Sequence, residues 1–207
     1  PAAAPAIELG SPFLDNAILQ REMPMPVWGW SKPGATITVE FAGQKESAKA
    51  GADGKWMLKL KPLTANSEPA EMLVSDSDGK KVALKNILVG EVWHASGQSN
   101  MEWFAGKSNC SSLAQELAKA PAELPIRELR TDTVSALYSQ ERVKSEAGWK
   151  TSRTAGDFSA LALSFAYDLH KELKVPVGIL LTSHSNTRIE AFTQRKAIEA
   201  HAGLKID

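Results

Sequence analysis

The sequence holds a single cysteine, Cys110, which excludes a disulfide within the chain and any cysteine-rich zinc site. Its plainest place is a partly buried small residue in a turn, so cysteine usage says nothing about redox compartment. Charge of one sign is also missing. Lys plus Arg balances Asp plus Glu at 24 each, and no tail or run concentrates either sign. A nucleic acid or polybasic-seeking membrane surface needs a concentrated positive field, so neither is an expected partner. Long apolar runs are lacking too, since stretches such as residues 177–181 fall far short of a membrane-spanning helix. No charged segment leading into an apolar one opens the chain. It starts Pro-Ala-Ala-Ala-Pro, as a mature terminus after an alanine-rich cleavage site would, though an arbitrary boundary reads the same way. Internal repeats and low-complexity segments are absent. What remains is ordinary: 43% hydrophobic and 23% charged residues in 207, enough for a sizeable core and one or two domains.

The two halves follow different patterns. In residues 7–88, short apolar-alternating segments are divided by turn residues. Val27-Trp28-Gly29-Trp30 leads into Lys32-Pro33-Gly34, a Pro-Gly turn whose glycine accepts positive φ. Residues 36–41 alternate so that Ile37, Val39 and Phe41 share a face. Asp53-Gly54 is a hairpin signal before residues 55–60, where Trp56, Leu58 and Leu60 share a face. Asp78-Gly79 separates residues 72–74 from 82–84. Strands this closely spaced, with no helical pattern between them, predict a small β-sandwich over 1–88.

After Leu88 the pattern becomes α/β. Residues 87–93 form an apolar strand. Residues 111–120 have helical composition, with Ser112 as a cap, Gln115 three residues on, and Leu113 and Leu117 spaced i, i+4. Residues 126–131 read as a second strand. A helix over 159–173 follows, capped by Asp157 or Ser159, with Leu161, Phe165, Leu169 and Leu173 in one stripe. Val175-Pro176 ends it, residues 178–181 form a buried strand, and 189–202 suggest a further helix. Strand and helix in alternation predict an α/β layer on a parallel sheet over 89–207.

The segment that bears on chemistry is Trp93-His94-Ala95-Ser96-Gly97-Gln98-Ser99-Asn100-Met101-Glu102-Trp103. It lies where a parallel strand ends, the edge at which α/β sheets place ligands. Gly97 permits a sharp backbone path, and a serine in such a turn exposes its hydroxyl beside its own N–H. Spacing alone leaves two readings open, a nucleophile elbow and a polar strand-to-loop junction.

Residues 89–93 and 96–103 resemble the first sequence block of the sialate O-acetylesterase family, within the SGNH hydrolases. Leu19-Gln20-Arg21, Val27-Trp28-Gly29-Trp30 and Asp53-Gly54-Lys55-Trp56 resemble that family's N-terminal β-domain. Trp149-Lys150, Phe158-Ser159-Ala160, residues 169–173 and Val175-Pro176-Val177-Gly178 follow in family order, so the similarity runs over roughly 7–195. The resemblance implies a flavodoxin-like, three-layer SGNH α/β domain behind an Ig-like or jelly-roll-like sandwich. It implies that Ser99 attacks an acetyl ester of sialic acid or another acetylated saccharide, supported in its turn by Gly97, Gln98 and Asn100. The Ser99 N–H is one oxyanion donor. The second comes from a family Trp-Gly-Gly-Thr turn that here reads His184-Ser185-Asn186-Thr187, placing it at Ser185 or Asn186. Both glycines are replaced, although Asn tolerates left-handed geometry. No metal or organic cofactor is implied.

The family's Gly-Glu-Asn and Asp-x-x-His segments do not occur before Asp207. The expected base is therefore a histidine on a second chain or C-terminal piece. Of the four histidines here, His94 is expected to point away from Ser99 or into the core, His170 to face solvent, and His201 to end a helix; His184 alone stands near the pocket. The rival reading is a non-catalytic sugar-binding or assembly module, with Trp103, Trp28 or Trp30 against sugar rings. The family's usual substrates imply a secreted, periplasmic or lysosomal location.

Overall fold

A computed structural model of the protein describes residues 7–134 and 140–201. The alanine-rich start, and the end of the helix expected over 189–202, lie outside the described residues. Strands β1 (Glu8–Leu9), β2 (Ile18–Gln20), β3 (Met25–Trp30), β4 (Thr36–Phe41), β5 (Gln44–Lys49), β6 (Lys55–Leu60) and β7 (Asn66–Asp76) lead to the long β8 (Lys81–Gly97). After β8 come α1 (Ser99–Glu102), α2 (Ser111–Lys119), β9 (Ile126–Arg130), β10 (Trp149–Thr151), α3 (Ala160–Leu173), β11 (Val177–Ser183) and α4 (Arg195–Glu199).

The alternation read in β4 and β6 is the packing observed. Ile37, Val39 and Phe41 are buried, as are Trp56, Leu58 and Leu60, and both sets share one core with Val27, Met72 and Val74. Gly79, at φ +86°, closes a β7–β8 hairpin in which Asp76 Oδ1 accepts from the N–H groups of Asp78 and Lys80. The Asp53-Gly54 signal gives a turn but no hairpin. β5 pairs with β4, whereas β6 pairs with β3 in a separate sheet of order β1-β3-β6. A tight turn constrains local direction only. Which strand the chain then joins depends on side chains further along, here the Trp56, Leu58 and Leu60 face.

The second sheet has order β10-β9-β11-β8-β7-β4-β5, with β2 also on β8. Leu88, the expected boundary, falls inside β8. The front of β8 pairs antiparallel with β7 and its end pairs parallel with β11, so one strand serves both halves. β11 is parallel to β9 as well, while β10 is antiparallel, which makes the sheet mixed rather than purely parallel.

Alternate residues of this sheet face two cores. Ile126, Val177, Ile179 and Leu181 pack with Leu117, Phe158, Leu163 and Ala166 under α2 and α3. Leu129 and Trp149 point the other way and join the core of the N-terminal strands. Arg127 fastens that side: its guanidinium donates to the carbonyls of Asn16, Ala17 and Asn86 and to Asn86 Oδ1. Burial pushes Arg127 down to about 10, still far above neutrality, so it stays charged. On the opposite face Glu128 accepts from the Ser159 N–H, and burial raises its carboxyl above the usual range. Gly90 is required where β8 crosses Pro176, because a Cβ there would lie 2.0 Å from the Pro176 carbonyl oxygen.

Several expectations need correction. Ser112 lies inside α2, and the residue before the helix is the half-buried Cys110, whose side chain makes no cap. Ser159, not Asp157, caps α3, accepting from the Ala162 N–H. Of the α3 stripe, Leu161 is 54% and Phe165 44% exposed, whereas Leu169 packs against the core beside the buried Ala162, Leu163 and Ala166. The expected helix over 189–202 is a 3-10 turn, Ile189–Phe192, followed by the five-residue α4.

Candidate active site

The strand β8 ends because Gly97 adopts φ +144°, a conformation that side-chain-bearing residues rarely take. A Cβ at this position would meet only the Met101 Cβ, at 3.5 Å, so the requirement for glycine is torsional. The backbone turns off the sheet, the Gln98 carbonyl accepts from the Met101 N–H at 2.8 Å, and Ser99 becomes the first residue of α1. Gln98, Ser99 and Asn100 are all exposed. The sheet thus presents Ser99 two residues past a parallel strand.

Contacts on the buried side hold α1 in place. Ser159 Oγ lies 3.4 Å from Met101 Sδ, the Ala160 N–H donates to the Trp103 carbonyl at 2.7 Å, and Phe104 bridges to Ser159. The α1 turn is therefore tied to the capped start of α3, and through Ser159 to the Glu128 carboxyl beneath it.

The second turn arrives along β11, the parallel neighbour of β8, whose Ser183 stands opposite Gly97. The His184 N–H donates to the Gly97 carbonyl at 3.0 Å, carrying the pairing one step beyond the strand. Asn186 then takes the left-handed conformation at φ +58°, the geometry that a glycine would otherwise supply. The Ser185 hydroxyl donates to the Glu102 carboxylate, joining this turn to α1. No acceptor among the described residues engages the backbone N–H of Ser99, Ser185 or Asn186. Glu102 was not singled out in the sequence. Its place three residues after Ser99, one helical turn away, is the signal that could have found it.

The histidines do not assemble a base. His94 is exposed on β8, not in the core, and its Nε2 meets Thr182 Oγ1 on the adjacent strand. His170 is half-buried rather than solvated because its Nδ1 bonds the Val175 carbonyl at 2.7 Å, closing the end of α3. His184 and His201 are exposed. Among the described residues no histidine ring is hydrogen-bonded to a carboxylate, and no group of three or more His, Cys, Asp or Glu side chains could hold a metal ion. No helix among them is long and apolar enough to cross a membrane.

Two open cavities flank α1. One, of about 310 Å³, lies against Trp93, Ser96, Met101, Leu161 and Phe165, where the Trp93 and Phe165 rings meet edge to face at 5.2 Å. The other, of about 320 Å³, includes Asn100, Trp103, Asn109 and Ser164. Of the tryptophans named for sugar contact, Trp30 is buried and Trp28 half-buried, whereas Trp103 is 66% exposed.

No protein-family model matches the chain. The sialate O-acetylesterase of Mus musculus is 28% identical over 211 residues, covering 91% of this chain and 38% of that protein. That of Homo sapiens is 28% identical over 205 residues, covering 90% of this chain and 38% of the relative. A crystal structure of a carbohydrate acetylesterase from Xanthomonas citri superposes with TM-score 0.85 at 32% identity, over 94% of this chain and 44% of that one. The resemblance to the sialate O-acetylesterases thus extends along about nine tenths of the chain, and the chain spans 38% of the length of those curated relatives.

Proposed function

We propose that this relative of the sialate O-acetylesterases contributes the nucleophile of a serine carbohydrate esterase, removing O-acetyl groups from sialic acid or another acetylated saccharide. One observation carries the reading: Ser99 is exposed just past the C-terminal end of a parallel strand, beside a turn from the neighbouring parallel strand. Ser99 Oγ attacks the acetyl carbon as its proton passes to a general base. The N–H groups of Ser99 and of Ser185 or Asn186 hold the negative charge that develops on the carbonyl oxygen. Collapse releases the sugar hydroxyl, protonated by the conjugate acid of the base. Water, activated by the same base, then attacks acetyl-Ser99 and frees acetate. Gly97 and Gln98 set the path of the turn, and Glu102 positions the second turn through Ser185.

The base and its orienting carboxylate are assigned to polypeptide outside these residues, a second chain or a C-terminal piece. The sheet supports this. Glu91 and Gly97 use their N–H and C=O toward the β11 side, so His94 and Ser96 direct theirs to the opposite edge. β2 pairs with β8 only as far as Gly90, and no described strand covers the edge beyond it. Trp93 and Phe165 stand exposed next to that edge, as they would before a further strand and helix are added. Residues 1–88 are read as the sandwich and 89–207 as the SGNH-type three-layer domain, completed by that addition. Acetylated saccharides place the protein in a secreted, periplasmic or lysosomal setting.

The lack of a histidine–carboxylate pair among the described residues favours a second reading, a sugar-binding module without turnover. Treatment with a fluorophosphonate probe and with p-nitrophenyl acetate separates the two. Wild-type protein together with the polypeptide that carries the base is expected to be labelled at one site, and Ser99→Ala in the same setting to lose both the label and any hydrolysis above the uncatalysed rate. Equal background in both proteins would leave the binding module standing.

A further inference from the structure

We infer that the groove beside α1 is a saccharide subsite that seats a neutral acetylated sugar ring on Trp103, rather than an acidic one. The inference rests on the esterase reading for the purpose of the site but not for its existence. Trp103 directly follows α1, four residues after Ser99, and its extended backbone ends that turn. A sugar stacked on the indole lies against Asn100, the residue after Ser99, and so next to the turn that carries the nucleophile.

The lining has the chemistry for this ligand. Trp103 is an exposed aromatic plane for the C–H face of a pyranose, and Leu161 continues the apolar floor. Asn100 and Asn109 contribute side-chain amides that no other described residue engages, each offering both donor and acceptor to sugar hydroxyls. Ser164 adds a hydroxyl from α3. Ser108 is already committed, since its Oγ donates to the Ala105 carbonyl and accepts from the Cys110 N–H. No Asp, Glu, Lys, Arg or His lines the groove among the described residues. A sugar carboxylate seated there would lose hydration without gaining a cation, whereas neutral hydroxyls exchange water for amides at little cost.

Backbone pairing around Trp103 supports a fixed platform. Its carbonyl is held by the Ala160 N–H, and the following residue bridges to Ser159, so the ring stands on a braced turn. By contrast, two of the three tryptophans at the larger cavity, Trp30 and Trp56, are buried, and Arg142 is stacked 4.1 Å over Trp30.

The test uses Ser99→Ala protein, so that no turnover intervenes, titrated with an acetylated xylo-oligosaccharide and with O-acetylated sialic acid by calorimetry or ligand-observed NMR. The neutral saccharide is expected to bind at least tenfold more tightly than the sialic acid, and Trp103→Ala in the same background to weaken it tenfold or more. Trp103→Phe should restore part of the affinity, an outcome that mere loss of folding would not give; circular dichroism checks the fold of each variant. No binding of the neutral saccharide at millimolar concentration, tighter binding of the sialic acid, or unchanged affinity in Trp103→Ala would each overturn the subsite. Fluorophosphonate labelling of the wild type reports on the nucleophile separately, so failure of one reading leaves the other intact.

Discussion

At the scale of single residues, the two turns depend on two backbone conformations on either side of one hydrogen bond. Gly97 at φ +144° starts the turn to Ser99, and its carbonyl receives the N–H of His184, two residues before Asn186 at φ +58°. The glycine was legible as a turn residue from its neighbours alone. Asn186 was legible as a substitute for glycine because its short amide tolerates the left-handed region. The bond from Ser185 to Glu102 was not legible, since it requires two strand ends to meet. Gly97→Ala tests the torsional requirement. With only the Met101 Cβ nearby, at 3.5 Å, the cost comes from φ and not from crowding. It should lower stability by about 1–3 kcal/mol, read by thermal melting. Fluorophosphonate labelling should fall further than the loss of folded protein explains.

At the scale of elements, α3 shows that an amphipathic pattern does not by itself say which side the sheet will cover. Leu161, Phe165, Leu169 and Leu173 lie in one stripe, and a stripe of large apolar residues ordinarily faces the core. The sheet instead receives the smaller face of Ala162, Leu163 and Ala166, which lets α3 approach β11 closely. The helix carries apolar surface on both faces, and only the position of the strands decides which is covered first. Leu163→Ala is expected to destabilise by about 2–5 kcal/mol, in the range of fully buried leucines. Leu161→Ala, more than half exposed, should change stability by less than about 0.5 kcal/mol in this chain. Urea denaturation of the two variants reads the difference, and equal losses would show that the outer face is covered in solution.

At the scale of the whole molecule, β8 and Arg127 bind the two halves into one structure. β8 runs from Lys81 to Gly97 without a break, and the Arg127 guanidinium reaches carbonyls of Asn16, Ala17 and Asn86 across the junction. Trp149 adds a further tie, its Nε1–H donating to the Pro12 carbonyl at 2.8 Å. Unfolding should therefore be a single cooperative transition, with far-ultraviolet circular dichroism and tryptophan fluorescence giving coincident midpoints in urea. Two separated transitions would mean that the halves melt independently, contrary to a shared strand and a shared core.

Local composition by itself determined the strands β3, β4 and β6, the turns at Gly34 and Gly79, the capped helix α3 and the exposed serine after a strand. Each of these depends on neighbours within a few residues, through alternation, positive φ or a capping hydroxyl. Tertiary structure alone decided that β6 leaves the sheet of β5, that β8 is one strand in place of two, and that α3 turns its small face inward. It alone brought Ser185 to Glu102 and left Trp103 bare at the end of α1. Those outcomes are set by competition among distant surfaces for the same partners, and no window of sequence contains both competitors.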